Sequence, residues 1–419
     1  MEKSPICVHV HIDGEFCPAG IVTYIADGKD SRSEFRYGRK YLGNPKAIAV
    51  DPVQLPLQEK TFYTPQHSEY FNGIRDSCPD SWGEHILERA ASAANIKLKK
   101  ADFILYSGPD RIGALGFSSS PGIPAFSEQP PWAKDLSGVS LSLDEMEEAS
   151  QLVASAEELP EHLRRFFVRG SSVGGARPKA TAVIDGIPYL IKFQHPKDRW
   201  HVCRVEDACM KLAGLCGINV ASTSRMSLFG GSRDIFFVRR FDRDVSSGKT
   251  CRIPFASMMT MCDLREHAIE GSYQELAYTT RKDIYDSSYA EKDRIEIYRR
   301  MVFNILCGNC DDHPRNHGFI LGSNGWHLSP AYDITTLASF ENCLYLRLGN
   351  YDKAATKENA LSESRSFGLE RNEAESIFNS MQDIVASEWE QTFLAAGVPQ
   401  QELQPLSKCF SDAMERKLE

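Results

Sequence analysis

Cys307–Thr336 reads CGNCDDHPRNHGFILGSNGWHLSPAYDITT, and the polar residues in it are spaced for one kind of chemistry. Asp311 is followed by Asn316. A short apolar run, Phe319–Leu321, then leads through a Ser323-Asn324-Gly325 turn and a second short strand to Asp333. This donor set suits phosphoryl transfer. The first carboxylate would orient a substrate hydroxyl and accept its proton, while the amide and the second carboxylate offer hard oxygens to magnesium. Alone, the same residues also fit an Asx-rich surface loop that only satisfies local backbone donors. The rest of the chain has to decide between the two.

Composition narrows the field first. With 419 residues, 42% hydrophobic and 25% charged, the chain has the length of roughly two or three domains and the make-up of an ordinary globular protein. A formal charge of -9 excludes a surface that is basic throughout. The local basic stretches 35–40 (FRYGRK) and 161–169 (EHLRRFFVR) read as solvated faces. No apolar run approaches the length of a membrane span, and the first residues, MEKSPICVHVHIDGE, lack the apolar core of a signal peptide. The expectation is a cytoplasmic protein without membrane contact. Its twelve cysteines are scattered, mostly within apolar runs, and read as buried thiols. Cys307, Cys310, His313 and His317 suggest zinc at first sight, but a zinc finger separates its ligand pairs by about a dozen residues, and here all four crowd into 307–317.

The architecture expected is α+β. Residues 5–50 alternate apolar and polar around turns at Asp13-Gly14 and 27–28, as in a small antiparallel sheet. Residues 71–94 switch to helical period, with Asp80 or Ser81 as cap, and 102–118 read as strand. A Pro/Ser-rich stretch, 118–132, and an acidic helix, 142–159, follow. The division expected is 1–140, a β-rich domain; 141–245, a region with a glycine-rich loop and a lysine strand; and 246–419, a helical lobe.

The middle region holds the second piece of chemistry. Gly170–Lys179 reads GSSVGGARPK, and glycines allow backbone N–H groups to approach a phosphate where a Cβ would stand in the way. Two β runs follow, ATAVID and YLIKF. Lys192 sits between Ile191 and Phe193, an unusual place for a cation unless it meets an anion; an exposed edge strand is the plain alternative. The helix predicted at 202–217 carries Glu206 in its first turns, with Asp207 one position off. A buried strand, 235–240, then leads to Phe241-Asp242-Arg243. No G-x-x-x-x-G-K-[ST] motif is present, which excludes a Walker ATPase.

Taken together, SSVGGARPKA, LIKF, VRRFDR, CDDHPRNHGFIL and LSPAYDITT resemble the HipA family of toxin kinases in order and spacing, and FNGIRDSCPDSWGEHILER and DRIGALGF extend the resemblance into the N-terminal region. The resemblance implies a divergent two-lobed protein-kinase-like fold and an ATP- and magnesium-dependent serine/threonine kinase, usually the toxin of a toxin–antitoxin pair. By position it implies that Ser172, Val173, Gly174, Gly175, Ala176 and Lys179 form the phosphate loop and that Lys192 contacts the ATP phosphates with Glu206 in support. Arg239, Phe241 and Asp242 would line the adenine and ribose site, the first two mainly through backbone. Asp311 would be the catalytic base, with His313 and Asn316 beside the nucleotide and Asn316 and Asp333 on magnesium. Ser172 would be the autophosphorylated residue that silences the enzyme, with Ser171 its rival. The partners implied are a helix-turn-helix, HipB-like antitoxin and a cytosolic protein substrate, aminoacyl-tRNA synthetases being targets known in the family, with DNA contact mostly indirect.

The chain departs from the family pattern at Arg239, where Glu is frequent, and at Pro178, which removes a backbone donor from the loop. Two other readings are carried forward: an inactive kinase-fold module that holds an antitoxin and acts as co-repressor, and a small-molecule kinase. Retention of Lys192, Asp311, Asn316 and Asp333 argues against the first, since a scaffold needs none of them.

Overall fold

The computed structural model describes every residue except 1, 28–29, 66–67, 129, 131, 133–140, 165, 172–174, 247, 266–270, 337–341 and 412–419. The chain packs as two compact units, one of Met1–Lys197 and Ser227–Ala256, the other of Asp198–Met226 and Ser257–Glu419.

The first unit contains a five-stranded antiparallel sheet in the order Thr61–Tyr63, Asp30–Tyr37, Glu15–Asp27, Glu2–Ile12, Leu115–Ser118. The alternation of residues 6–12 (ICVHVHI) has a physical outcome. Ile6, Val8, Val10 and Ile12 share one face and pack with Phe35, Tyr37, Phe71 and Phe117. The helix expected over 71–94 is two helices, Asn72–Asp76 and Ser81–Ala93, separated at Pro79, which cannot continue a hydrogen-bonded turn. The strand expected over 102–118 is corrected as well. Lys100–Tyr106 is helical, its start held by the Lys99 backbone N–H donating to Asp102 Oδ2 at 2.8 Å, and only Leu115–Ser118 is strand. A short apolar run such as Phe103–Tyr106 has no period to separate helix from strand.

In the same unit the strands Lys179–Ile184, Ile187–Phe193 and Arg233–Arg239 pair antiparallel in that spatial order. Ala180, Ile191, Phe193, Ile235 and Phe237 bury one side against Trp82, Ile86, Phe166 and Phe167. Burial of each large side chain stabilises by about 1.5–3 kcal/mol.

The second unit is built on the helix Ala290–Cys307, whose Ile297, Tyr298, Met301, Val302, Phe303 and Leu306 are fully buried. It packs on the helix Arg371–Ala395, as does the helix Val202–Leu215. Gly308 ends the central helix at φ 67°, and a Cβ there would meet Cys409 Cβ at 3.0 Å, so both backbone shape and space require glycine. That stop turns the chain into the Asp311 loop. After it comes the hairpin Gly318–Leu321 with Trp326–Leu328, as its turn residues predict.

Candidate active site

In the first unit, Lys192 stands directly across the antiparallel ladder from Lys179, with Phe236 as its partner on the other side. They are 7% and 6% exposed, so two ammonium groups are buried on one face of the sheet. Like charges opposite one another are mutually unfavourable and buried charge is costly, so two lysines on this face call for compensating negative charge nearby. Gly175 closes over it. Its φ is +98°, and a Cβ there would fall 2.2 Å from Lys179 Nζ. Both peptide groups around Gly175 are pinned: its N–H donates to Asp80 Oδ2 at 2.9 Å and its carbonyl accepts from Trp82 N at 3.1 Å. Asp80, read from the sequence only as a helix cap, makes no cap hydrogen bond. Its carboxylate serves Gly175 and Arg75 instead, the latter at 3.2 Å. Ala176 is exposed. Ser172, Val173 and Gly174 lie outside the described residues. The rival Ser171 is 0% exposed, its hydroxyl accepting from Gly108 N at 3.4 Å.

Arg239 is exposed at its strand end, and the Phe241 ring lies 6.3 Å from that of Phe255. Asp242, placed at the ribose by the resemblance, has its carboxylate committed internally. It takes Arg240 Nε at 2.8 Å, Arg240 Nη2 and Arg243 Nη1 at 2.6 Å, and Gly113 N at 2.7 Å. Burial alone would raise this carboxyl, but Arg240 and Arg243 hold it well below the usual range.

In the second unit, Glu206 is 5% exposed in the helix Val202–Leu215, whose start is tied down by His201 Nδ1 to Glu402 Oε1 at 2.6 Å. The neighbouring Asp207 pairs with Lys211 at 2.8 Å.

The loop separates its two adjacent carboxylates. Asp311 is exposed; Asp312 is 3% exposed and accepts from His317 Nε2 at 2.8 Å and from the Tyr273 hydroxyl. Burial raises the Asp312 carboxyl, and His317 together with these hydrogen bonds brings it below the ordinary value. Asn316 is 7% exposed, its Nδ2 donating to the Asp311 carbonyl at 3.1 Å. His313 is half-buried, edge-on to Tyr345 at 6.1 Å. Tyr332 Oη reaches the Arg315 carbonyl at 2.8 Å, so the segment carrying Asp333 is fastened to the segment carrying Asn316. Asp333 has φ +58°, a left-handed backbone that a non-glycine residue adopts at a cost, and such strain gathers at functional sites.

Asp311, Asn316 and the Asp333 segment are thus brought together within one unit. Two oxygen-donor side chains suit magnesium, which keeps several waters and takes further ligands from phosphates. The zinc alternative has no such support. Cys307 is 0% exposed with its thiol pushed far up by burial, and His317 Nε2 is held by Asp312. Sequence reasoning passed over Asp312 and Tyr273 and read His317 and Asp80 in other roles, because contacts between distant segments leave no local pattern.

Comparison with known proteins bears on the family and the fold. The family model described as HipA-like C-terminal domain matches residues 171–389, more than half of the chain. The serine/threonine-protein kinase toxin HipA of Shewanella oneidensis is 25% identical over 197 residues, 41% of this chain and 44% of that protein, so the match spans less than half of that relative. A putative kinase of Haemophilus influenzae is 23% identical over 240 residues, 52% of this chain and 69% of that protein. Among solved structures, the Shewanella oneidensis HipA, HipB and operator DNA complex superposes with a TM-score of 0.65 at 17% identity, covering 98% of this chain and 96% of that one. Among the described residues no helix is long and apolar enough to cross a membrane. The α+β fold is that of HipA, and with its family model covering residues 171–389 the chain belongs to the HipA family.

Proposed function

We propose that the chain is an ATP- and magnesium-dependent serine/threonine protein kinase of the HipA toxin type, acting in the cytoplasm on a protein substrate. The observation that carries this reading is the loop geometry, in which an exposed Asp311 has its own carbonyl bonded to the Asn316 amide while Asp312 is drawn inside.

In this reading the Asp311 carboxylate orients a serine or threonine hydroxyl and takes its proton as the oxygen bonds to the γ-phosphorus and the bond to the β-phosphate oxygen breaks. Asn316 gives its amide oxygen, and Asp333 its carboxylate, to magnesium. When bound, the metal neutralises charge on the phosphates. Lys192 and Lys179 meet phosphate oxygens with ammonium groups whose burial strengthens the attraction. The supporting role of Glu206 and the nucleotide contacts of Gly175, Ala176, Arg239, Phe241 and His313 belong to the same proposal. Asp242 is assigned to holding the segment in place.

Two finer points extend the proposal. Ser172 is the self-phosphorylated residue, a choice supported by the burial of Ser171. The partner is a HipB-like helix-turn-helix antitoxin, with DNA contact mostly indirect. The net charge of -9 agrees with this, as does the solved HipA–HipB–operator complex. The experiment is incubation of the purified protein and a cell lysate with labelled ATP and magnesium, followed by mass spectrometric mapping of labelled residues. Label in lysate proteins that depends on both protein and magnesium supports the kinase. Label confined to small molecules would replace the protein acceptor with a metabolite.

A further inference from the structure

We propose that Asn309, Asn304, Tyr273, Asp312 and His317 form a buried positioning network that sets the geometry of Asp311 and Asn316; the proposal rests on the kinase reading above. The connections run through one unit. Asn309 Nδ2 donates to Asn304 Oδ1 at 3.0 Å, and Asn304 Nδ2 to Tyr273 Oη at 3.0 Å. Tyr273 Oη donates to Asp312 Oδ2, which also receives His317 Nε2 at 2.8 Å. None of the five is more than 3% exposed.

The placement matters more than the bonds themselves. Asp312 follows Asp311, and His317 follows Asn316, so the one pair of side chains clamps both ends of the short segment that separates the two reactive groups. A further bond, from Met258 N to the His317 carbonyl at 2.8 Å, fixes the exit of that segment. The network reaches back to Asn304 on the central helix and Asn309 just beyond its end, and to the helix Tyr273–Tyr278, so two helices set one loop conformation. Apolar side chains would fill the same volume without the desolvation cost of a buried carboxylate. What they would not supply is a directional hold on the backbone beside Asp311 and Asn316. None of these side chains is assigned contact with substrate; they act through their neighbours.

The test uses the full chain with magnesium and labelled ATP, reading the maximal rate of phosphate incorporation, the ATP concentration at half-maximal rate, and the melting temperature. Tyr273→Phe deletes one oxygen, and His317→Phe keeps an aromatic ring but no donor. Each lowers the maximal rate by about 10- to 100-fold while half-saturating ATP moves by less than about 3-fold, because misplacement of a reacting group falls on the chemical step. His317→Gln, which restores an N–H donor toward Asp312, recovers most of the rate. Simple packing predicts the opposite order, with Phe tolerated and Gln worst. If His317→Phe does not fold, Tyr273→Phe decides. Wild-type protein that transfers phosphate, alongside a Tyr273→Phe variant at full rate or a Gln variant no better than Phe, overturns the network alone. Wild-type protein that transfers none overturns the kinase reading and the network with it.

Discussion

The side-chain amide of Asn316 donates to the backbone carbonyl of Asp311 at 3.1 Å, so the residue proposed to bind metal also braces the residue proposed to take the proton. Removing the side chain should therefore do double damage. Asn316→Ala is expected to lower phosphate transfer by about 10²- to 10³-fold. Asn316→Asp keeps an oxygen but loses the donor, and should fall between Ala and wild type. Rates measured across a magnesium titration check both.

Asp333 occupies a left-handed backbone position, φ +58°, where glycine is the relaxed choice. Asp333→Gly and Asp333→Ala should both be inactive. The Gly variant should nonetheless be the more stable of the two by about 1 kcal/mol, since only Ala keeps the backbone penalty. Urea unfolding of the two variants measures the difference.

Gly175 cannot accept a side chain quietly: its φ is +98° and a Cβ would fall 2.2 Å from Lys179 Nζ. Gly175→Ala should displace that ammonium and weaken ATP binding, with a stability loss of about 1 kcal/mol. Nucleotide titration by calorimetry reads the first effect and thermal unfolding the second.

The buried Asp242 supplies the pH dependence. Its folded-state pKa lies below the ordinary 3.8, the pull of Arg240 and Arg243 outweighing burial. Its stabilisation is therefore complete above that ordinary value and is lost as the pH falls through the lower folded-state value. Asp242→Ala, which strands two buried guanidinium groups, should cost about 3 kcal/mol or more at neutral pH. Asp242→Asn should flatten the fall in stability between about pH 5 and about pH 2. Urea midpoints at several pH values test the sign.

Much of the fold was legible wherever one residue's neighbours in sequence are also its neighbours in space. The period of 202–217 marked the helix Val202–Leu215, and the Ser323-Asn324-Gly325 turn marked the hairpin after the loop. The run Phe103–Tyr106 was not legible, because its helix is set by the bond from the Lys99 backbone N–H to the Asp102 carboxylate and by burial of Ala101 and Ile104. At the site, the spacing of Asp311, Asn316 and Asp333 was readable, yet nothing local distinguished Asp312 as an interior residue. That distinction comes from Tyr273 and His317, one of them 39 positions away. Asp80 hid for the same reason, its carboxylate serving Gly175, 95 positions on.

The most direct measurement is magnesium-dependent transfer of labelled phosphate from ATP by the purified chain, run beside Asp311→Asn, with the labelled residue identified by mass spectrometry. The prediction is label on Ser172 in the wild type and background in the variant, at equal melting temperatures. An unlabelled wild type, or a variant that labels at the wild-type rate, would contradict Asp311 as the base of a working kinase.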